Sequence, residues 1–97
     1  MVTTRATHML PQMSSFHVLM IRYSSPVVSL EVIVNDYFAH INIAEANRRA
    51  SKMDLPFPVF KSENSKKAKW MVNIAQFAAY LDKQSAIAEQ DFNNMYA

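Results

Sequence analysis

The sequence has 97 residues, the length of one small domain, with 51% hydrophobic and 19% charged residues. That composition is typical of a folded protein with an apolar core. Cysteine and glycine are both absent from the sequence, which excludes disulfides, a thiol nucleophile, Cys-ligated zinc and every glycine-rich phosphate loop. The longest mostly apolar run, residues 16–23, is too short to span a membrane, and nothing before it resembles a signal peptide. We therefore expect a soluble, cytoplasmic protein that makes no membrane contact.

The positive charge is concentrated in one central segment. Residues 48–69 contain seven basic and two acidic residues, a net charge of +5, whereas residues 1–47 carry −1 and residues 70–97 carry −2. Such a cluster in a nearly neutral chain indicates a polyanionic partner, most simply a nucleic acid. The alternative is a solvated charged surface without a partner.

The N-terminal part is predicted to hold a flexible leader and then a strand. Residues 1–15 show no periodicity and are assigned to the leader. Residues 16–23 (FHVLMIRY) are rich in side chains suited to a buried strand, which residues 24–26 (SSP) end. Because this strand is apolar on both faces, we expect it to pair or pack across a symmetric homodimer. It could instead join a hairpin as a third strand within a monomer, and the C-terminal helix could equally provide the dimer interface.

Two short helices are predicted next. Ser29 is a good N-cap for a first helix over residues 30–39, whose apolar residues recur at helical spacing. Asn42 and Glu45 have the spacing of a capping box at the start of a second helix over residues 43–52. Two helices joined by so short a turn form a helix-turn-helix candidate.

A β-hairpin and a third helix follow. Residues 59–61 and 68–72 have strand character, and the polar segment 62–67 between them predicts a hairpin. Asn73 caps a third helix that continues beyond Lys83, and residues 91–97 are assigned to a fraying tail. Its predicted apolar stripe is Ile74, Phe77, Ala78 and Leu81.

The second helix has the pattern of a DNA-recognition helix. Its inner side carries Ile43, Ala46 and Ala50, which would anchor it to the domain. Its opposite side carries small, polar and charged residues that would face a major groove, where arginine binds guanine edges with two hydrogen bonds. The alternative is that Glu45 and Arg49 form an ion pair on a solvated surface.

The hairpin would then occupy the place of a wing. Its lysines suit contact with phosphates, although edge lysines also serve to block strand aggregation. The helix and the hairpin in this order favour binding of double-stranded DNA. The candidate DNA-binding residues are Asn42, Ala44, Glu45, Arg48, Arg49, Lys52, Lys61, Ser65, Lys66, Lys67 and Lys69.

Catalysis finds little support in the sequence. His8, His17 and His40 are scattered without metal-ligand spacing, and the acidic residues are isolated or form helical pairs typical of surface charge. We therefore predict no enzymatic activity, no cofactor and no metal. Trp70 could stack on a base, although a tryptophan in such a strand is more often part of the core.

Residues 16–88 resemble the pyocin activator protein (PrtN-like) family of phages and prophages. The resemblance rests on residues 18–23 and 29–32, on the Asp-Tyr-Phe-Ala-His segment at 36–40, on Arg48-Arg49, and on the Ala-Ala-Tyr-Leu-Asp-Lys-Gln segment at 78–84. It implies a small DNA-binding regulator that activates bacteriocin genes derived from phage tails. More distantly, the order of elements is similar to phage excisionases and AlpA-type regulators. A glycine is usual near Met53 in the family, so we expect the turn after the second helix either to be made by Asp54 or to be strained differently.

These observations predict an α+β fold: a small winged helix-turn-helix domain, MerR- or excisionase-like, over residues 16–90, with an N-terminal strand and a C-terminal helix. The predicted function is a sequence-specific phage transcriptional activator that binds DNA, forms a homodimer and contacts RNA polymerase. One alternative is an excisionase-like recombination directionality factor, which bends attachment-site DNA and contacts integrase. Another is an interaction protein that binds a host protein and no DNA.

Overall fold

The computed structural model describes residues 13–96, and the predicted α+β class is confirmed there. The elements follow one another as four helices and three short strands. In chain order they are α1 (Ser15–Tyr23), β1 (Val27–Ser29), α2 (Leu30–Tyr37), α3 (Ile43–Ser51), β2 (Phe60–Lys61), β3 (Trp70–Asn73) and α4 (Ile74–Tyr96).

The three strands form an antiparallel sheet in the order β1-β3-β2. The predicted hairpin is confirmed, since β2 pairs with β3 through Lys61 opposite Trp70. β1 pairs with the other edge of β3, with Val28 opposite Val72. No sequence signal predicts β1, because it consists of only three residues after a proline, the last of which is the cap of α2. The sheet therefore positions the hairpin against α2 and α4.

The predicted strand over residues 16–23 is wrong: this segment is the helix α1. Ser14 caps it, since its hydroxyl accepts a hydrogen bond from the backbone N–H of His17 at 3.2 Å. Leu19 is buried, whereas Ile21 is 68% exposed. The outer side of the helix also carries apolar residues, among them Val18 and Ile21. A short apolar run of this kind does not distinguish a strand from a helix. Strand pairing across a dimer therefore has no basis.

α1 packs against α2 and α4. At its start, the Ser15 hydroxyl donates a hydrogen bond to the Asp82 carboxylate of α4 at 2.5 Å. At its end, the Tyr23 hydroxyl donates to the Asp36 carboxylate of α2 at 2.5 Å, and Arg22 forms an ion pair with the same carboxylate at 3.2 Å. Burial and the bond to Asp36 raise the pKa of Tyr23. α1 begins inside the predicted leader, and residues 1–12 of that leader lie outside the described residues.

The core lies where the helices meet the sheet. Phe57 enters it from the proline-flanked segment after α3, and its ring stacks edge-to-face on Phe77 of α4 with centroids 5.0 Å apart. Phe38 and Tyr80 complete this aromatic group. The buried residues are Leu19, Leu30, Ile33, Val34, Ala46, Ala50, Phe57, Val72, Ile74, Phe77 and Ala78.

Each of the three predicted helix caps is confirmed. The side chains of Ser29, Asn42 and Asn73 accept backbone N–H bonds at the starts of α2, α3 and α4, at 3.3, 2.8 and 3.2 Å. Such caps satisfy N–H groups that have no partner inside the helix. The capping box at α3 is only half formed, because the Glu45 carboxylate turns toward arginines on its own helix and not back to Asn42.

The turn after α3 is made by Met53 and not by Asp54, so the structure fits the second expectation, a turn that is strained differently. Met53 has a φ of 55°, in the left-handed region. Its N–H donates to the carbonyl of Ala50 at 3.1 Å, and the N–H of Asp54 donates to that of Arg49 at 2.8 Å. This pair of bonds is the Schellman motif, in which the left-handed position is usually glycine. The methionine side chain is 91% exposed.

α4 extends well beyond the core. Its first turns are buried through Ile74, Phe77 and Ala78, whereas all side chains from 82 to 96 are exposed. The helix continues to Tyr96, through residues that the sequence analysis assigns to a fraying tail. The Cα radius of gyration is 16.7 Å, against about 13 Å for a compact domain of this size. Within residues 13–96, no helix combines the length and the hydropathy that a membrane span requires.

Candidate nucleic-acid interface

An open groove of about 350 Å³ lies between α3 and the β2–β3 hairpin. We call it the basic groove because four lysines line its hairpin side. Asn47 and Ser51 line its α3 side, and Glu31 of α2 is the one acidic residue along it. The full lining is Ser29, Leu30, Glu31, Ile43, Asn47, Ser51, Lys61, Lys66, Lys67, Ala68, Lys69 and Trp70. The fold therefore gathers the predicted wing lysines on one surface.

The α3 side of the groove was missed by the sequence analysis. Asn47 and Ser51 lie one turn apart and are exposed, and the Ser51 hydroxyl donates to the backbone carbonyl of Asn47 at 3.1 Å. Both residues follow Ile43 at intervals of four, so they flank the inner stripe of the helix. The spacing of four can be read from the sequence. The side of α3 that faces the hairpin cannot be read from it, because that side depends on how the hairpin packs.

The hairpin lysines differ in how firmly they are held. The Lys61 ammonium lies 5.1 Å from the centroid of the Trp70 ring and donates to the carbonyl of Ser65 at 3.5 Å. Lys66, Lys67 and Lys69 are exposed on the loop and the start of the returning strand. Among residues 13–96, none of these four lysines has an acidic partner. Their charge is therefore available to a polyanion.

Ser65 and Trp70 shape the hairpin. The Ser65 hydroxyl accepts the N–H of Lys67 at 3.1 Å, and its carbonyl accepts that of Ala68 at 3.1 Å. These bonds close the tip of the loop. Trp70 is half-buried and lines the groove beside Lys61. Ser65 thus holds the loop that carries the lysines, and Trp70 contacts Lys61 directly.

The two arginines of α3 are engaged within the helix. Arg48 contacts Glu45 with two nitrogens, at 2.6 and 2.9 Å, and Arg49 donates to the same carboxylate at 3.0 Å. Hydrogen bonds from Arg48 and then Arg49 lower the pKa of Glu45 to about 2. The ion pair between Glu45 and Arg49, considered above as the alternative, is therefore present, and Arg48 adds a second.

The remaining predicted residues of α3 lie outside the groove lining. Asn42 caps the helix through its side-chain oxygen, Ala44 is exposed, and Lys52 is the exposed C-cap. Arg49 lines a separate cavity of about 180 Å³, which includes Phe38. The predicted site thus divides into hairpin lysines that meet at one groove and α3 residues that lie beside or behind it.

His17 and His40 are the two histidines within residues 13–96. No three histidine or acidic side chains lie close enough to hold a metal ion in the part of the chain that the structure describes. His17 is exposed on α1 and contacts the Ser14 hydroxyl at 2.6 Å. His40 lies near Phe38, with ring centroids 6.4 Å apart. His8 falls outside the described residues.

A comparison with protein families identifies the chain. The model of the pyocin activator protein PrtN family matches residues 16–88, about three quarters of the sequence. The chain belongs to this family. The match confirms the resemblance described in the sequence analysis, and the family is one of regulatory proteins. The match includes α3, the hairpin and the basic groove, and it ends within α4. No curated protein and no solved structure matches the chain.

Proposed function

We propose that this member of the pyocin activator family is a winged helix-turn-helix regulator that binds duplex DNA and activates phage or prophage genes. In this proposal α3 enters the major groove and the β2–β3 hairpin contacts the adjacent phosphates. The observation that carries it is the basic groove, which unites four lysines from the hairpin with polar side chains of α3.

α3 meets the geometric needs of a recognition helix. Ala46 and Ala50 are 0% and 1% exposed, so the inner side of the helix is held against the core. Ala44 and Arg48 are exposed on its outer side, and Asn47 is exposed between that side and the hairpin. A small alanine allows close approach to the bases, asparagine binds adenine with two hydrogen bonds, and arginine binds guanine in the same way.

Because Arg48 is paired with Glu45, it can bind a base edge only by giving up that ion pair. A guanine edge must replace two hydrogen bonds that the guanidinium already makes to the carboxylate. Only a base that accepts both bonds compensates for that loss, so the exchange favours guanine over bases with a single acceptor in reach. Glu45 therefore contributes to specificity by competing for Arg48.

The hairpin lysines supply affinity without sequence information. Lysines on an exposed loop release counterions when they meet phosphates, and this makes binding salt-dependent. If four to six phosphates are neutralised, log K falls against log salt with a slope of roughly −4 to −5. The loop also fixes how α3 is placed on the duplex, because phosphate contacts set register and orientation.

Lysine substitutions test this proposal. We expect Lys66→Ala and Lys67→Ala to weaken binding to all duplexes alike and each to reduce the salt slope by about one. Lys83→Ala is the matched control, since Lys83 is an exposed lysine on α4 outside the basic groove. Fluorescence anisotropy with labelled duplexes over a salt series measures both quantities. A flat salt response, or an equal loss for Lys83→Ala, would contradict the proposal.

A further inference from the structure

The C-terminal part of α4 carries an apolar stripe that nothing in the described structure covers. Counting from Leu81, the residues Ser85, Ala88, Phe92 and Met95 follow at alternating intervals of four and three. This is the heptad spacing of a coiled-coil seam. The stripe continues the face that Ala78 buries in the core. α4 thus has one seam, of which the first part is packed and the second part is bare.

The bare part is large for its length. Phe92 is 62% exposed, Met95 78% and Tyr96 72%, and the rings of Phe92 and Tyr96 lie against each other with centroids 4.7 Å apart. Residues 82–96 extend about 22 Å along the helix axis. An unsupported helix of this length is marginal in water, because most helical stability comes from packing of an apolar face. A partner for this face would stabilise it.

The geometry points to a second copy of the same chain as that partner: we propose that residues 82–96 pair antiparallel with the same residues of another molecule. With the two-fold axis near Gln90, Ser85 lies opposite Met95 of the second copy, and Ala88 lies opposite its Phe92. Each of the four layers then combines one small and one large side chain. Such alternation lets two helices interdigitate without voids. The stripe is therefore complementary to itself under two-fold symmetry.

Charge argues against polyanionic partners for this surface. Residues 82–96 hold three acidic residues and one basic residue, so DNA and anionic lipid surfaces are repelled. In the antiparallel pair, Glu89 and Asp91 of both copies come near the axis, which weakens the pair. The two copies of Phe92 together bury roughly 300–500 Å² at most, since an aromatic side chain buries about 150–250 Å². The other stripe residues add to this area, and the interface belongs to the weak, transient class, so we expect dissociation at high micromolar concentration.

Sedimentation equilibrium of the full chain without DNA tests the dimer. We expect a monomer–dimer equilibrium for the wild type and at least about tenfold weaker association for Phe92→Ala, as for an aromatic residue at the centre of an interface. Ile87→Ala is the matched control: Ile87 is 45% exposed on the same helix but lies off the stripe. A wild-type monomer at several hundred micromolar, or an equal loss for Ile87→Ala, overturns the proposal. Both positions lie outside the core, so thermal unfolding checks that the variants remain folded.

Disulfide trapping tests the antiparallel direction. The chain has no cysteine, so a single introduced cysteine can form a disulfide only with the same position in a second molecule. We expect Glu89→Cys, near the axis, to form a covalent dimer on oxidation. In this arrangement the two copies of position 85 lie about 15 Å apart along the axis, beyond the reach of a disulfide. Ser85→Cys should therefore stay monomeric. A covalent dimer with Ser85→Cys but not with Glu89→Cys would indicate parallel pairing and overturn the proposal. None of these measurements uses DNA, so their outcome is independent of the proposed function.

Discussion

Two groups of basic residues in the central segment, the arginines of α3 and the lysines of the hairpin, differ in how their charge is compensated. On α3, Arg48 and Arg49 share the carboxylate of Glu45. On the hairpin, the lysines have no acidic partner within residues 13–96. Each of these residues counts the same in a tally of charge along the sequence. The structure shows that the hairpin lysines present their charge freely, whereas Arg48 and Arg49 of α3 present hydrogen-bonding groups that are already occupied.

This difference fits a division of labour between affinity and specificity. A free ammonium on a loop adapts to phosphates of any sequence. A guanidinium held by a carboxylate exchanges that partner only for one that matches its geometry. The comparison therefore predicts that substitutions in the two regions change different properties of DNA binding.

The largest effect is expected from Arg48. We expect Arg48→Ala to weaken binding to the specific duplex by roughly ten- to a hundredfold and to reduce discrimination against other sequences, as for loss of a bidentate base contact. Arg49→Ala is the matched control, because Arg49 pairs with the same carboxylate but lies on the side of α3 that faces Phe38. Competition binding with mismatched duplexes measures both. A larger loss of discrimination for Arg49→Ala would place the recognition surface on the other side of α3.

The sequence predicted those parts of the fold that depend on neighbouring residues. The caps at Ser29, Asn42 and Asn73 were predicted because each cap is a bond between a side chain and a backbone group three residues away. The hairpin was predicted because its polar tip separates two apolar runs. In both cases the signal lies within a few residues, and the structure agrees.

The parts that were missed depend on distant packing. Residues 16–23 were misassigned because α1 keeps Val18 and Ile21 exposed, which removes the polar side that identifies an amphipathic helix. The groove residues Asn47 and Ser51 were missed because the hairpin approaches α3 from 10 or more residues further along the chain. The bond between Glu45 and Arg48 joins residues three apart, and the sequence offers Glu45 two arginines, at spacings of three and four, without showing that it binds both.

The turn that joins the two regions should respond to Met53. A non-glycine residue in the left-handed conformation costs about 1–2 kcal/mol, and the exposed methionine side chain has little packing to lose. We expect Met53→Gly to raise the free energy of unfolding by up to about 1 kcal/mol, since glycine also gains freedom in the unfolded chain. Thermal unfolding should show a rise in Tm of about 4–8 °C at most. If Met53→Gly also binds duplex DNA as tightly as the wild type, the substitution changes stability and leaves the hairpin lysines in place.

The smallest expected effect comes from Glu45 and depends on pH. Because the folded-state pKa of Glu45 is lowered to about 2 from an ordinary value of 4.5, its ion pairs stabilise the fold fully above pH 4.5. That contribution is lost progressively as the pH falls toward 2. We expect Glu45→Gln to lower the urea midpoint at pH 7 by on the order of a few tenths molar, with the difference from wild type vanishing near pH 2. In the proposed complex the same substitution releases both arginines and removes a negative charge near the duplex, so it should raise affinity for non-specific duplexes severalfold. Lower affinity for every duplex would show that Glu45 orients Arg48 and does not compete for it, and the division between the two charged regions would then rest on the hairpin alone.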